Sequence, residues 1–286
     1  MRRFIALIAL VISSFIRDRC LSFAAAISYW ALFSIFPMLL LTMAMLSLFI
    51  SSAHDRAGTV EAVFNLLGQS VARETIRDQV DGLASSGGSI GLFGLVLAIW
   101  SASGVFGAVR EGMAAVWGAG NRRPFIQGKL IDLTMLLTVG VLMVLSVLST
   151  GLLTAAETLI PPASGSAIAP VARAAVGLVY FVVPPALSYG AFALIYFAVP
   201  RGGLRLADVW EGALVAAILF EIAQIGFSVY LSHFADYGRI YGSLGAAIAL
   251  LFFMYLSAAI LLLGAEVTKA TLGAGGRSLT LRAGSP

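Results

Sequence analysis

The sequence predicts an all-α polytopic membrane protein with six transmembrane helices. Hydrophobic residues make up 60% of the 286 residues and charged residues only 11%, whereas about 25% of the residues in a soluble domain are charged. Several apolar windows exceed the roughly 20 residues that a helix needs to cross a bilayer. These windows occur along the whole chain, so we interpret residues 1–270 as one membrane domain and residues 271–286 as a flexible cytoplasmic tail.

The first apolar run, residues 4–16, is too short to span a membrane. As a helix it rises only about 20 Å. Two arginines precede it, as in a secretory signal peptide, but Arg17 and Asp18 follow it where a small-residue cleavage site is expected. We therefore predict an N-terminal helix that lies in the cytoplasmic interface. A cleaved signal peptide and a short span are the alternatives.

Six later runs are long enough to span the bilayer. The predicted spans are residues 21–50, 89–109, 130–160, 171–199, 207–231 and 241–269. Proline removes a backbone hydrogen bond, so Pro37 is expected to kink the first span and Pro184-Pro185 to interrupt the fourth. Between the first two spans, residues 59–84 carry apolar residues at helical spacing with charged residues between them. This pattern predicts an amphipathic periplasmic helix.

The basic residues predict the orientation. With the N-terminus in the cytoplasm, five of the 18 basic residues fall on the outer side and the other thirteen face the cytoplasm. An excess of Lys and Arg in cytoplasmic loops is the usual arrangement, and six spans preserve it on every loop. We therefore predict a multi-pass membrane protein with both termini in the cytoplasm.

Several short motifs resemble those of one family. Near the N-terminus they are Asp18-Arg19, residues 24–29 and residues 34–37; around the second span, residues 100–103 and 115–117; in the last two spans, Gly212-Ala213, Tyr230, residues 241–244, 255–257 and 264–266. In this order they resemble the YihY/BrkB family, bacterial inner-membrane proteins once called ribonuclease BN. The resemblance covers about residues 17–270, with Phe252-Phe253 standing where the family leads us to expect a tryptophan. It implies six spans, an inner-membrane location and a role in transport or envelope maintenance.

Glu221 is the residue whose position most needs an explanation. It lies near the middle of the fifth predicted span, where an unpaired carboxylate costs about 3 kcal/mol. Gln224 and Ser228 follow it at i+3 and i+7, so the three side chains share one helical face. Two interpretations stay open. The stripe is either a proton, ion or headgroup site in a cavity, or a hydrogen-bonded carboxyl group that joins two helices.

Four further residues are candidates for the lining of the same cavity: Tyr230, Tyr241, Tyr255 and Glu266. Tyrosines near span ends also serve as interfacial anchors, which is the alternative for the first two. Glu266 lies one turn before Lys269, so a local ion pair is the alternative for it.

Two further groups have both a functional and a purely structural interpretation. A basic rim follows the second span and consists of Arg110, Arg122, Arg123 and Lys129. It either binds anionic lipid headgroups or reflects the positive-inside tendency alone. Small residues recur early in the sixth span, at Gly242, Gly245, Ala246 and Ala249. They predict that this helix approaches a neighbour closely.

Enzymatic chemistry is not expected from these residues. Cys20 is the only cysteine and His54 and His233 are the only histidines, so we predict neither a metal site nor a cofactor. The sequence contains no GxxxxGK[ST] pattern for ATP and no basic patch for nucleic acid. The first functional hypothesis is non-enzymatic transport or accommodation of a lipid or small solute through a helix-bundle cavity, with membrane lipids as partners. The alternative is an envelope scaffold or assembly factor that binds envelope proteins through residues 59–84. The oligomeric state stays open.

Overall fold

The structure is a computed structural model that describes residues 2–49, 88–118, 126–128, 130, 132, 134–135, 169–200, 204–234 and 238–274. All regular secondary structure in these residues is α-helical, as the sequence predicts. The long helices are α1 (Arg2–Arg17), α2 (Cys20–Phe49), α3 (Gly88–Trp117), α4 (Ala169–Ala198), α5 (Leu206–Phe234) and α6 (Gly238–Ala274). The predicted amphipathic helix at residues 59–84 lies outside the described residues. So does the third predicted span, apart from four helical residues near its start.

Three of the described helices contain segments that are long and apolar enough to cross a membrane: Gly177–Ala198, Leu206–Leu231 and Ala247–Gly273. The first contains 22 residues, which as a helix cover about 33 Å, a little more than the hydrocarbon core. Ile5–Arg17 and Cys20–Ile35 are shorter apolar helices. The complete six-span topology stays a prediction.

The helix α1 presents an apolar face that the described part of the protein leaves exposed. Val11 and Ser14 are buried, whereas the isoleucines Ile5, Ile8, Ile12 and Ile16 are exposed. Their spacing of three or four residues places these isoleucines on one side of the helix. Such a face is suited to a helix that lies in a membrane interface.

A sharp turn joins α1 to α2. Arg19 has a φ of 52°, and the backbone N–H of Asp18 donates to the carbonyl of Ser14 at 2.8 Å. A residue with positive φ just after a helix is a common way to end it, although glycine is more usual there. Asp18 lies in this turn, between α1 and α2 in the sequence, and its side chain takes part in the cluster described below.

The expected interruption of the fourth span is absent, because α4 continues through Pro184 and Pro185 from Ala169 to Ala198. That prediction was wrong. Neither proline has a backbone N–H to donate to the carbonyl one turn earlier, so the helix lacks two of its hydrogen bonds in this region. Neighbouring polar groups can compensate for such losses in membrane helices. The kink expected at Pro37 stays a prediction.

The chain divides into two compact units. The first comprises Met1–Leu21, Arg110–Ile222 and Ala259–Pro286, and the second comprises Ser22–Val109 and Ala223–Ala258. In the second unit the ring of Trp30 packs edge-to-face against Trp100, with centroids 6.2 Å apart. An added Cβ at Gly104 would overlap the Trp30 ring, so glycine leaves the space that this ring occupies.

The first unit contains a close approach of α5 and α6. A Cβ at Gly264 would lie 2.8 Å from both the Ala216 Cβ and the Gly212 carbonyl oxygen. Tyr196 of α4 is fully buried beside this contact, and its hydroxyl donates to the Leu261 carbonyl at 2.7 Å. Small residues therefore let α6 approach α5 closely at Gly264. This contact lies further along α6 than the small residues between 242 and 249, at which the sequence predicts a close approach. Of that earlier set, Ala249 is buried.

Candidate functional site

The carboxyl group of Glu221 is held by a hydroxyl group from the preceding helix. Ser188 Oγ of α4 donates to Glu221 Oε1 of α5 at 3.1 Å. Each residue lies near the middle of its candidate span. This contact matches the structural interpretation, in which the carboxyl joins two helices. The functional interpretation of Glu221 stays a prediction.

The remaining residues of the predicted stripe are more exposed than Glu221. Glu221 is half-buried, whereas Gln224 and Ser228 are both exposed in the described part of the protein. One and two helical turns separate them from Glu221. Ser188 was missed in the sequence analysis, although a polar residue that follows a Pro-Pro pair in mid-span is a visible signal.

The candidate tyrosines have different surroundings. Tyr230 is exposed and stacks on Phe227 with centroids 6.3 Å apart. Phe227 in turn stacks on Phe253 of α6 at 4.6 Å. Tyr255 is half-buried. Tyr241 is helical, and its side chain lies outside the described residues. The ring of Tyr230 therefore takes part in aromatic packing.

A second polar site surrounds Glu266, whose side chain is only 1% exposed. Cys20 Sγ donates to Glu266 Oε1 at 4.0 Å, and Lys269 Nζ lies 3.8 Å from Glu266 Oε2. The local pair expected from the i, i+3 spacing is thus present. The same ammonium group lies 3.0 Å from Asp18 Oδ2. We call Asp18, Cys20, Glu266 and Lys269 the corner cluster.

Two further contacts strengthen the corner cluster. Lys269 Nζ also donates to the carbonyl oxygen of Val116 in the last turn of α3, where a cation complements the helix dipole. Arg17 Nε donates to Asp18 Oδ1 at 3.1 Å. Burial alone would raise the pKa of Asp18, but hydrogen bonds from Arg17 and Lys269 outweigh it and hold the pKa below its ordinary value. Lys269 therefore ties the turn after α1 to the end of α3.

The basic rim is represented by Arg110, because Arg122, Arg123 and Lys129 lie outside the described residues. Arg110 Nε lies 3.4 Å from Asp132 Oδ1, and the Asp132 side chain is 2% exposed. An added Cβ at Gly128 would collide with the Arg110 guanidinium group. Arg110 thus neutralises a buried carboxylate, and headgroup binding by the rim stays a prediction.

Sequence comparison assigns the family. A family model described as "Virulence factor BrkB" matches residues 11–279. The chain belongs to this family. The resemblance to the YihY/BrkB family is therefore confirmed.

Curated relatives of this BrkB-family chain are described as membrane proteins. A UPF0761 membrane protein of Xanthomonas campestris pv. campestris is 28% identical over 253 residues, which cover 88% of this chain and 57% of the relative. A UPF0761 membrane protein of Rhodospirillum centenum is 28% identical over 245 residues, covering 86% of this chain and 52% of the relative. The chain thus spans little more than half the length of these relatives. No solved structure matches it.

The family assignment and the apolar helices together identify the chain as a membrane protein of the BrkB/UPF0761 family. Within the described residues, no group of three or more His, Cys, Asp or Glu side chains is arranged to hold a metal ion. The polar groups that the fold brings together in this BrkB-family protein are the Glu221–Ser188 pair, the corner cluster and the Arg110–Asp132 pair.

Proposed function

We propose that this BrkB-family protein is a non-enzymatic membrane protein that moves or accommodates a small solute or lipid past the Glu221–Ser188 pair. The hydrogen bond between α4 and α5 in mid-span supports this proposal. An ionised carboxylate offers about four lone-pair sites, and Ser188 fills one of them. A hydrogen bond to a charged group contributes about 1.5–3 kcal/mol. One such hydrogen bond can therefore at most cancel the roughly 3 kcal/mol cost of inserting the charged carboxylate into the membrane. The other lone pairs are left for water or a ligand.

The arrangement of α5 favours a path over an isolated contact. Gln224 and Ser228 continue the polar stripe along the helix from Glu221. Seven residues of helix place Ser228 about 10 Å along the axis from Glu221. A carboxylate that only joined two helices would need no polar continuation of this length. A solute that passes between an aqueous side and mid-membrane would use it.

The proposal includes the location of the protein. The charge distribution of the loops favours six spans with both termini in the cytoplasm, and the family resemblance implies the bacterial inner membrane. Membrane lipids are then its neighbours, and the stripe must face a polar cavity or another part of the protein. In the alternative, an envelope scaffold, residues 59–84 would carry the function and Glu221 would serve only stability.

Two substitutions of Glu221 separate the functions. Glu221→Gln preserves shape and an acceptor for Ser188 but removes the ionisable group, so we expect normal thermal stability in detergent and loss of complementation in a strain that lacks the protein. Glu221→Leu also removes the acceptor and should lower stability. Glu211→Gln, in the first turns of the same helix, is the matched control and should behave as wild type. Wild-type complementation by Glu221→Gln at normal expression would refute the proposed role of this site.

A further inference from the structure

We propose that α1 is a binding surface for anionic phospholipids. Its exposed isoleucines lie among the acyl chains, and the exposed arginines at its C-terminal end, Arg17 and Arg19, bind the headgroup phosphates. The sequence predicts a helix in the membrane interface. The folded chain shows in addition which side of this helix is free and which chemical groups that side offers. The proposal is independent of Glu221 and of the transport function.

The exposed isoleucines of α1 lie along one side of the helix. Successive residues of an α-helix are about 100° apart around the axis. Ile5, Ile8 and Ile16 therefore lie within about 40° of Ile12, and all four side chains are exposed among the described residues. We call these four residues the isoleucine face.

Two other sides of α1 have a different character. The buried side contains Val11 and Ser14 and lies about 130° from the isoleucine face in one direction. The polar side contains Ser13 and Arg17, which are both exposed, and it lies about 120° away in the other direction. Because the buried side fixes the rotation of the helix, the isoleucine face and the polar side are both available to a partner.

This division suits a helix that lies along a bilayer surface. The 16 residues of α1 rise about 24 Å, less than the roughly 30 Å of a hydrocarbon core. A helix across the bilayer would expose Ser13 and Arg17 to the acyl chains. A helix parallel to the surface lets the isoleucine face enter the acyl region while the polar side stays at the headgroups.

The arginines at the end of α1 have N–H groups for a phosphate. Arg17 Nε donates to Asp18 Oδ1 at 3.1 Å, and Arg17 Nη2 donates to Ser14 Oγ at 3.3 Å. A guanidinium group carries more N–H groups than these two contacts use, and pairs of such groups bind phosphate oxygens well. Arg19 follows in the turn and is also exposed.

The charge of this segment favours anionic over zwitterionic lipids. Residues 2–19 contain four arginines and one acidic residue, Asp18. The Lys269 ammonium group lies 3.0 Å from Asp18 Oδ2, so the arginines are not the only cations that balance this carboxylate. Each basic residue near an anionic leaflet contributes about a fivefold preference. An uncharged protein helix on the isoleucine face would gain nothing from these arginines.

The test measures which lipids contact α1 in a bilayer. The purified chain with Cys20→Ala and Ile12→Cys carries an NBD fluorophore at position 12. It is reconstituted into nanodiscs of phosphatidylcholine and phosphatidylglycerol in equal amounts. One of the two lipids carries a doxyl nitroxide on its acyl chain, which quenches NBD on contact. We expect quenching to show a preference of about fivefold or more for phosphatidylglycerol.

Matched variants assign this preference to particular residues. Ile222→Cys, at an exposed position of α5, should show no preference between the lipids. Arg17→Gln combined with Arg19→Gln should remove most of the preference at position 12. So should roughly 1 M NaCl, which shortens the screening length to about 3 Å. Ile5→Cys should reproduce Ile12→Cys, and the fluorophore at Ser13→Cys should be quenched less than either.

Three results would overturn the proposal. Absence of quenching at positions 5 and 12 would show that protein covers the isoleucine face. Equal quenching at positions 12 and 13 would indicate a helix that crosses the bilayer. Quenching without a preference for phosphatidylglycerol, or a preference that survives loss of both arginines, would show that Arg17 and Arg19 do not bind anionic headgroups.

Discussion

Loss of the Lys269 ammonium group is expected to open the corner cluster, and Cys20 provides a direct reporter. Cys20 is the only cysteine of the chain, its exposure is 0%, and its thiol contacts Glu266. A maleimide in solution can react with this thiol only when the surrounding contacts open. The labelling rate of the native protein therefore reports the local opening equilibrium.

The size of the effect follows from the contacts of Lys269. Its ammonium group lies 3.0 Å from Asp18 and 3.8 Å from Glu266, and it also donates to the Val116 carbonyl. Hydrogen bonds that involve a charged group contribute about 1.5–3 kcal/mol each. The Lys269 side chain is 34% exposed, so water replaces part of what is lost. We expect Lys269→Met to shift local opening by about 2 kcal/mol, which corresponds to labelling about 30-fold faster than wild type.

Arg17→Met is the matched control, because Arg17 contacts the same carboxylate of Asp18 from the exposed side. Its side chain is 69% exposed, so water replaces most of what this contact contributes. Labelling of Cys20 should therefore rise much less than in Lys269→Met. Equal acceleration by the two variants would show that position in the cluster does not determine the effect. Unchanged labelling in Lys269→Met would refute the role assigned to Lys269.

Two further predictions concern packing and pH. Gly264→Ala should destabilise the protein by about 1–3 kcal/mol through overpacking, because the new Cβ would lie 2.8 Å from the Ala216 Cβ. The control is Gly226→Ala, whose new Cβ would have nothing within 4 Å, so this variant should be neutral or stabilising. Both are measured by thermal unfolding in detergent, and equal losses of stability would contradict the packing argument. The pKa of Asp18 is held below its ordinary value of 3.8, so its contribution to stability is complete above pH 3.8 and is lost as the pH falls through the lowered value. The difference in unfolding temperature between wild type and Asp18→Asn should shrink over that acidic range, and a difference that persists at lower pH would contradict this linkage.

The positions of the helices were largely predictable because apolar runs carry the signal. The predicted segments 171–199 and 207–231 correspond to α4 at Ala169–Ala198 and α5 at Leu206–Phe234. The ends were less predictable. The second span was expected to end at residue 109, but α3 continues to Trp117. A hydropathy argument stops at Arg110, whereas in the folded chain Asp132 neutralises that charge and the helix continues. Similarly, α6 extends to Ala274, into the segment assigned to the tail.

Local patterns could not identify the partners of the polar residues. The sequence alone singled out Glu221, since a mid-span carboxylate is conspicuous, but not Ser188 on the preceding helix. The pair between Lys269 and Asp18 joins residues 251 positions apart, and only the fold brings them together. The close approach at Gly264 was also missed, although Gly212 and Ala216 have the four-residue spacing that marks such contacts.

The corner cluster and the Glu221–Ser188 pair differ in how many of their polar groups have hydrogen-bond or ion-pair partners. This difference determines which of the two to test for function. In the corner cluster, Lys269 has three acceptors and Glu266 has partners at both carboxylate oxygens. A buried network whose members contact one another in this way favours one arrangement of helices. Within the described residues, Glu221 accepts its hydrogen bond from Ser188 alone. Polar groups left incomplete inside a membrane are costly, and a protein retains them most readily where a ligand completes them. The Glu221–Ser188 pair is therefore the site at which substitutions should change activity while leaving the fold intact, and the corner cluster the site at which they should change the fold first.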